Sequence, residues 1–308
     1  MENIGLLTFI IMKRKIRTRK DALICLVVLL SLLYSTPLLA KPSVGVSFKS
    51  KNIKQGDVLF INVKANPGIY KVSGTIFDRP VHFYSNPKKD KYNALVGIDM
   101  DTKPRQYTLS LVFEDQKGGK TKKDYKIKVG STKFGTQKLT LPAEMVELDE
   151  ETLEKVKLEE EKIGKIWDIF TEDHLWDGNF LEPVKGKTTG EFGLRRIING
   201  EPKNSHRGMD IAAPEGAPVR VANNGRVVFI DDIFYSGKSL VIDHGLGLFT
   251  MYFHLSETMV VEGEVVKKGQ IIAKVGKTGR ATGPHLHWGV RLNGARINPA
   301  AIVKLKLE

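Results

Sequence analysis

Residues 283–292 read GPHLHWGVRL, and the reading of this run decides the fold of the half of the chain that contains it. After the Gly-Pro turn the run is strand-like. In a strand, neighbours alternate between faces while residues two apart share one. His285 and His287 therefore point to one side, and Leu286 and Trp288 to the other. Trp288 reads as core. Two imidazoles on one face suit a metal ligand and a general acid/base a few ångströms apart.

Working outward, the chain beyond Pro183 is a series of glycine-punctuated, strand-like runs: RVVFIDD, KSLVIDHG, LFTMYFHL and QIIAKVG, with a hairpin turn expected at Lys267-Lys268-Gly269-Gln270. Five of the seven histidines fall here: His206, His244, His254, His285 and His287. In SHRGMDIAAPEG, His206 and Asp210 are four apart, a helical spacing, but Gly208, Pro214 and Gly216 argue instead for a loop entering a strand. Imidazole nitrogen and carboxylate oxygen are both good zinc ligands, and a three-ligand set leaves a position for water. Two histidines and one carboxylate make up a known class of catalytic zinc site.

HRGMD, then MYFHL, then GPHLHWGV, in that order, resemble the lysostaphin-type, or LytM-like, zinc endopeptidases of peptidoglycan. The resemblance runs from about residue 183 to 303 and includes EFGLRRIINGEPKNSHRGMDIAAPEGAPV and NGARINPA. It implies that His206, Asp210 and His287 hold one Zn2+. It also implies that His285 is the general base, and that His254 orients the water or stabilises charge on the carbonyl oxygen. The expected activity is metalloendopeptidase hydrolysis of peptidoglycan cross-links or stem peptides. Every expected position is filled, which sets the chain apart from non-catalytic relatives that regulate amidases. The tyrosine that some members carry shortly before the first ligand is missing from NGEPKNS. Tyr235 is a substitute to consider. Arg195 and Arg196 read either as carboxylate binders or as a solvated loop, and His244 as a hydrogen-bonded turn residue. Two other readings of the chain are a silent regulator that binds wall peptide or an amidase, and a structural metal module.

The front of the chain is organised differently. Residues 1–40 have the basic, apolar and cleavage layout of an export signal, with Ala40 the best cut, Met12 a candidate start, and an uncleaved anchor the rival. This predicts an exported protein of the periplasm or cell envelope, touching membrane only through that segment. The lone cysteine, Cys25, lies inside it, so the mature chain has neither disulfide nor thiol chemistry. The formal charge is +13, of which +4 belongs to residues 1–40 (six basic, two acidic), leaving +9. Such a balance attracts polyanionic wall polymers; nucleic-acid motifs are absent.

Residues 41–130 alternate apolar and polar, as in Tyr107, Leu109, Leu111 and Phe113, with turns at Asn66-Pro67-Gly68, Asn86-Pro87 and Lys117-Gly118-Gly119-Lys120. They predict a β-sandwich of immunoglobulin-like type, in which His82 is structural. Residues 131–182 read as a linker holding a helix over about 149–170. Asp149 caps it, Leu153, Val156, Ile163, Ile166 and Phe170 form its apolar face, and its charge run is solvated. Residues 183–308 form the peptidase unit. The fold class is thus mainly β: a sandwich, a connecting helix, and an antiparallel sheet with the metal on the floor of a groove. The site does not reveal whether the bond cut is D,D, L,D or a glycine bridge. The signal and front unit favour a direct D-alanyl to diaminopimelyl cross-link.

Overall fold

Period-two alternation organises the front of the molecule. Its strands are β1 (Val44–Phe48), β2 (Ile53–Lys54), β3 (Val58–Ala65), β4 (Ile69–Ile76), β5 (Arg79–Val81), β6 (Phe83–Ser85), β7 (Lys91–Gly97), β8 (Gln106–Asp115) and β9 (Lys120–Gly130). They build two sheets, ordered β1-β3-β7-β6 and β2-β9-β8-β4-β5. Pairing is antiparallel except that β2 runs parallel to β9. Leu109, Leu111 and Phe113 of β8 point inward and meet Leu59, Ile61 and Val63 of β3 in one core. The computed structural model describes residues 44–49, 53–65, 68–142 and 146–307; the predicted export signal with Met12 and Cys25, and Asn66-Pro67 of one predicted turn, lie outside them.

The rest of the chain supplies β10 (Thr136–Leu139), α1 (Glu150–Ile166), β11 (Lys187–Gly190), β12 (Arg195–Ile198), β13 (Glu201–Pro202), β14 (Met209–Ala212), β15 (Pro218–Arg220), β16 (Gly225–Ile233), β17 (Gly237–Asp243), β18 (Leu248–Thr258), β19 (Val265–Val266), β20 (Ile271–Val275), β21 (His285–Leu292), β22 (Ala295–Ile297) and α2 (Pro299–Lys304). A ten-stranded sheet runs β11-β14-β21-β18-β17-β16-β19, with β15, β20 and β22 paired to its flanks. Its pairings are antiparallel, as the sequence predicts. One face carries the main core, including Leu286, Trp288 and Val290. On the opposite face, α1 packs Ile166 and the half-buried Ile163 onto Phe229, Val241 and Phe249.

Two expectations change. Asp149 does cap α1, its Oδ1 accepting from Thr152 N at 2.8 Å. The helix stops at Ile166, however, so Phe170 lies beyond it and is 46% exposed, as is Leu153 at 53%. Of the expected apolar face, Val156 and Ile166 are buried and Ile163 is half-buried. The supposed linker also contains a strand: β10 pairs in parallel with β12. Its four residues, TQKL, are too short and too polar to give a readable alternation.

β3 joins the two halves. Its odd residues face the sandwich, while Val58 and Phe60 on the other side join Leu95, Leu292, Ala295 and Ile297 in the core of the second half. Burial on both faces explains why β3 reads VLFINVKA, nearly continuous in apolar residues. Gly97 fits there because a Cβ would lie 2.9 Å from Ala295 Cβ and 3.0 Å from Leu292 O. A polar clasp closes the seam: Arg296 grips Asp99 through Nη2 to Oδ1 at 3.0 Å and Nε to Oδ2 at 3.2 Å, and reaches Asp101 Oδ2 at 2.6 Å. Burial would raise the Asp99 pKa, but the Arg296 hydrogen bonds outweigh it and hold the carboxyl below its ordinary value.

Arg296→Met should therefore cost about 1–3 kcal/mol at pH 7, the price of a half-buried carboxylate left without its partner. A depressed carboxyl contributes stability above its unfolded pKa and loses it as pH falls through the folded value. Denaturant unfolding at pH 7 and pH 3 should show the gap between wild type and variant narrowing at the lower pH. An unchanged gap would mean the clasp is not the source.

Candidate active site

The register of two strands assembles the centre. β14 runs antiparallel to β21 with Asp210 directly opposite His287, so the carboxylate and the imidazole project from the same sheet face. His206 arrives from the loop before β14, and its ring is fixed on the far side: a carbonyl only accepts, so Nδ1 donates to Glu191 O at 2.8 Å. That leaves the lone pair of His206 Nε2 directed inward. Three donor atoms then converge, with His206 Nε2 2.9 Å from Asp210 Oδ1 and 3.0 Å from His287 Nδ1, and His287 Nδ1 2.8 Å from Asp210 Oδ1.

This donor set fits a small divalent metal. A tetrahedral zinc with bonds of about 2.0–2.1 Å holds its ligands roughly 3.3 Å apart, a few tenths of an ångström wider than the spacing here. The inward lone pairs require a shared cation, proton or metal, and the set is two nitrogens and one oxygen. Burial alone would raise the Asp210 pKa, but the two imidazoles against it hold the carboxyl well below the ordinary range. Burial pushes the His287 pKa down, which favours the neutral form a ligand needs.

His285 and His254 sit beside this triad. His285 Nε2 is 3.8 Å from Asp210 Oδ1, while its Nδ1 donates to Gly283 O at 2.8 Å. The His254 ring lies 4.7 Å from that of His285 and 6.0 Å from that of His287. Its Nδ1 donates to Thr278 O at 2.8 Å. Both rings therefore present an Nε2 lone pair, and one loop, residues 277–284, sets both tautomers. Burial, then the neighbouring His287 and His285, push His254 down to about 3, so it stays neutral across the working range. It can accept a hydrogen bond from water, but it is not protonated to donate one to an oxyanion.

All five residues singled out in the sequence thus meet in one place. Trp288 is fully buried, as expected. His244 bonds on both sides, to Asn224 O at 2.6 Å and Thr250 Oγ1 at 2.8 Å, and burial lowers it to about 4. The two arginines separate: Arg195 is exposed, whereas Arg196 approaches Asp210 Oδ2 at 3.5 Å. Tyr235 packs with Arg280, whose guanidinium carbon is 4.2 Å from the ring centre. Sequence reasoning missed the backbone carbonyls of Glu191, Thr278 and Gly283, which no side-chain pattern reveals. It also missed Phe253, which stacks on His287 at 5.5 Å with planes 4° apart. Period two in MYFHL could have found Phe253, since it lies opposite His287 in the ladder.

Comparison with known proteins agrees with this geometry. Residues 204–299 match the family model described as peptidase family M23. The chain is 43% identical over 123 residues to the DD-carboxypeptidase/endopeptidase Mpg of Neisseria meningitidis serogroup B, covering 40% of this chain and 28% of that protein. It is 40% identical over 123 residues to the peptidoglycan DD-endopeptidase ShyB of Vibrio cholerae, covering 37% of this chain and 29% of that one. The chain therefore spans under a third of the length of these relatives. A crystal structure from Pseudomonas aeruginosa assigned to peptidase M23 superposes with a TM-score of 0.59 at 28% identity, over 82% of this chain and 95% of that one.

Proposed function

Residues 204–299 of this chain are a peptidase family M23 domain, and from that premise we propose that the protein is an exported zinc metalloendopeptidase cutting D,D peptide cross-links in peptidoglycan. The convergence of His206, Asp210 and His287 on one point, with two further imidazole lone pairs beside it, carries this reading. The names of the relatives from Neisseria and Vibrio support the D,D bond. The basic and apolar layout of residues 1–40 supports export.

In the proposed chemistry, His206, Asp210 and His287 would hold the zinc, and the chemistry it would supply there is Lewis-acid polarisation of a carbonyl and a lowered pKa for water. His285 Nε2 takes the proton from the attacking water and returns it to the leaving amine. His254, neutral and fixed by Thr278 O, accepts a hydrogen bond that orients the water. The Glu191 carbonyl holds His206 in the tautomer that ligation needs.

The purified zinc-loaded protein should release soluble muropeptides from sacculi, and mass spectrometry should find the D-alanyl to diaminopimelyl bond opened. A chelator should stop release, and added zinc should restore it. Protein that carries zinc and binds sacculi but releases nothing would make the chain a silent binder instead.

A further inference from the structure

One cation beside the metal-ligand set has no part in the proposed chemistry. β12 reads RRII, and period two sends Arg195 and Arg196 to opposite sides. Arg195 is exposed; Arg196 turns toward the site. Parallel pairing with β10 sets Gln137 beside Arg196, whose Nε donates to Gln137 Oε1 at 3.4 Å. Its Nη2 lies 3.5 Å from Asp210 Oδ2, the carboxylate oxygen that stands outside the donor cluster. Both contacts are long, and among the described residues Nη1 has no hydrogen-bond partner. Among those residues Arg196 is also the only lysine or arginine within salt-bridge reach of Asp210.

The guanidinium can be reached from solvent. The Arg196 side chain is 25% exposed, and those of Asp210, His285 and His287 beside it are 12%, 16% and 14% exposed. Burial presses the Arg196 pKa down, Asp210 acts against this, and the like charge of Arg280 adds to the depression. Asp210 is a weak counter-ion, because two imidazoles already share its charge. A half-buried guanidinium on long contacts, with a second cation nearby, favours an anion from outside.

We propose that Arg196 binds the substrate carboxylate that lies next to the scissile bond on the leaving side. In a D-alanyl to diaminopimelyl cross-link, the departing nitrogen is bonded to a carbon that also carries a carboxylate. Standard bond lengths place that carboxylate carbon roughly 3–4 Å from the scissile carbonyl carbon. With the carbonyl at His206, Asp210 and His287, the anion must rest on a side chain that touches them, and Arg196 is the cation that does. A planar carboxylate matches the guanidinium fork, and Gln137 fixes how the fork is turned. The contact selects direct cross-links over glycine bridges, where the corresponding carbon bears an amide. The subsite rests on the peptidase reading for its substrate. The competing role is structural, with Arg196 steadying Asp210 and, through it, the metal.

The test uses the full-length zinc-loaded protein and the leaving-side product, a diaminopimelyl peptide with its amine free. The carboxylate on the amine-bearing carbon is either left free or converted to a primary amide. Calorimetry gives the two affinities, and elemental analysis gives the zinc content. Wild type should bind the acid about tenfold or more tightly, the scale of one good charge-assisted contact. Arg195→Gln, the same charge change one residue away, should keep that ratio. Arg196→Gln should bring it near one with about one zinc per chain retained, and Arg196→Lys, which keeps the charge without the fork, should fall between. A ratio near one in wild type, or an unchanged ratio in Arg196→Gln, overturns the subsite, and so does an equal fall in Arg195→Gln. Loss of zinc from Arg196→Gln overturns it too, and assigns Arg196 to steadying Asp210. If Arg196→Gln fails to fold, Arg196→Lys decides, and a wild-type ratio there overturns the subsite. Sacculi opened by a protein whose ratio is near one would sink the subsite alone. An Arg196-dependent ratio in a protein that never opens sacculi would sink the peptidase reading and leave the subsite standing.

Discussion

Alanine at His285 should lower hydrolysis of sacculi by about 100- to 10,000-fold, the range a general acid/base contributes, while metal content stays near one zinc per chain. Alanine at His287 should remove both activity and metal. The asymmetry follows from where each ring points. His287 Nδ1 lies within 3.0 Å of both other donors, whereas His285 Nε2 stands 3.8 Å from Asp210 Oδ1, outside the ligand cluster and beside it. Elemental analysis of both variants beside muropeptide release decides the matter. If both keep zinc equally, or both lose it, the division of labour between the two histidines is wrong.

Adding one methyl group at Gly208 should be nearly as damaging. A Cβ at that position would lie 2.5 Å from His287 Nε2 and 2.7 Å from the Trp288 carbonyl oxygen. The second contact is backbone and cannot swing aside. The first cannot be relieved by tilting the imidazole, because Phe253 lies flat against its plane. Gly208→Ala must therefore displace His287 from Asp210, and a shift of about 1 Å at a reacting centre costs on the order of 100-fold in rate. Activity and zinc affinity should fall together, and the backbone clash should lower the unfolding midpoint as well. Full activity with normal zinc content would show that the ladder between β14 and β21 yields more easily than its packing implies.

The sequence disclosed the centre and concealed its supports, for a physical reason. His206, Asp210, His254, His285 and His287 carry the chemistry in their side chains, so their types and spacing can be read directly. The carbonyls of Glu191, Thr278 and Gly283 belong to the main chain, and every residue has one; only folding selects which of them meet a ring nitrogen. The fold divides in a similar way. Alternation in β8 and β9 announced the hairpin, because one face is wet. β3 announced a strand but not its second burial, since an apolar run is equally consistent with several kinds of core. The apolar face of α1 was overdrawn because helical spacing marks which residues could pack together. It does not mark where the sheet beneath them ends.

The double-sided burial of β3 also bears on how such a molecule would work through a meshwork if it opens cross-links as proposed. Val58, Phe60 and Leu95 fuse the sandwich to the half that carries the candidate site with shared apolar packing instead of a flexible tether. An interface of that kind suppresses the swinging between neighbouring units that would otherwise be the rule. Under the proposed function, the two halves would then reach a cross-link together as one stiff unit, admitted or refused by the openings in the polymer. Each bond cut in this way would widen the next opening, so access would grow as the work proceeds.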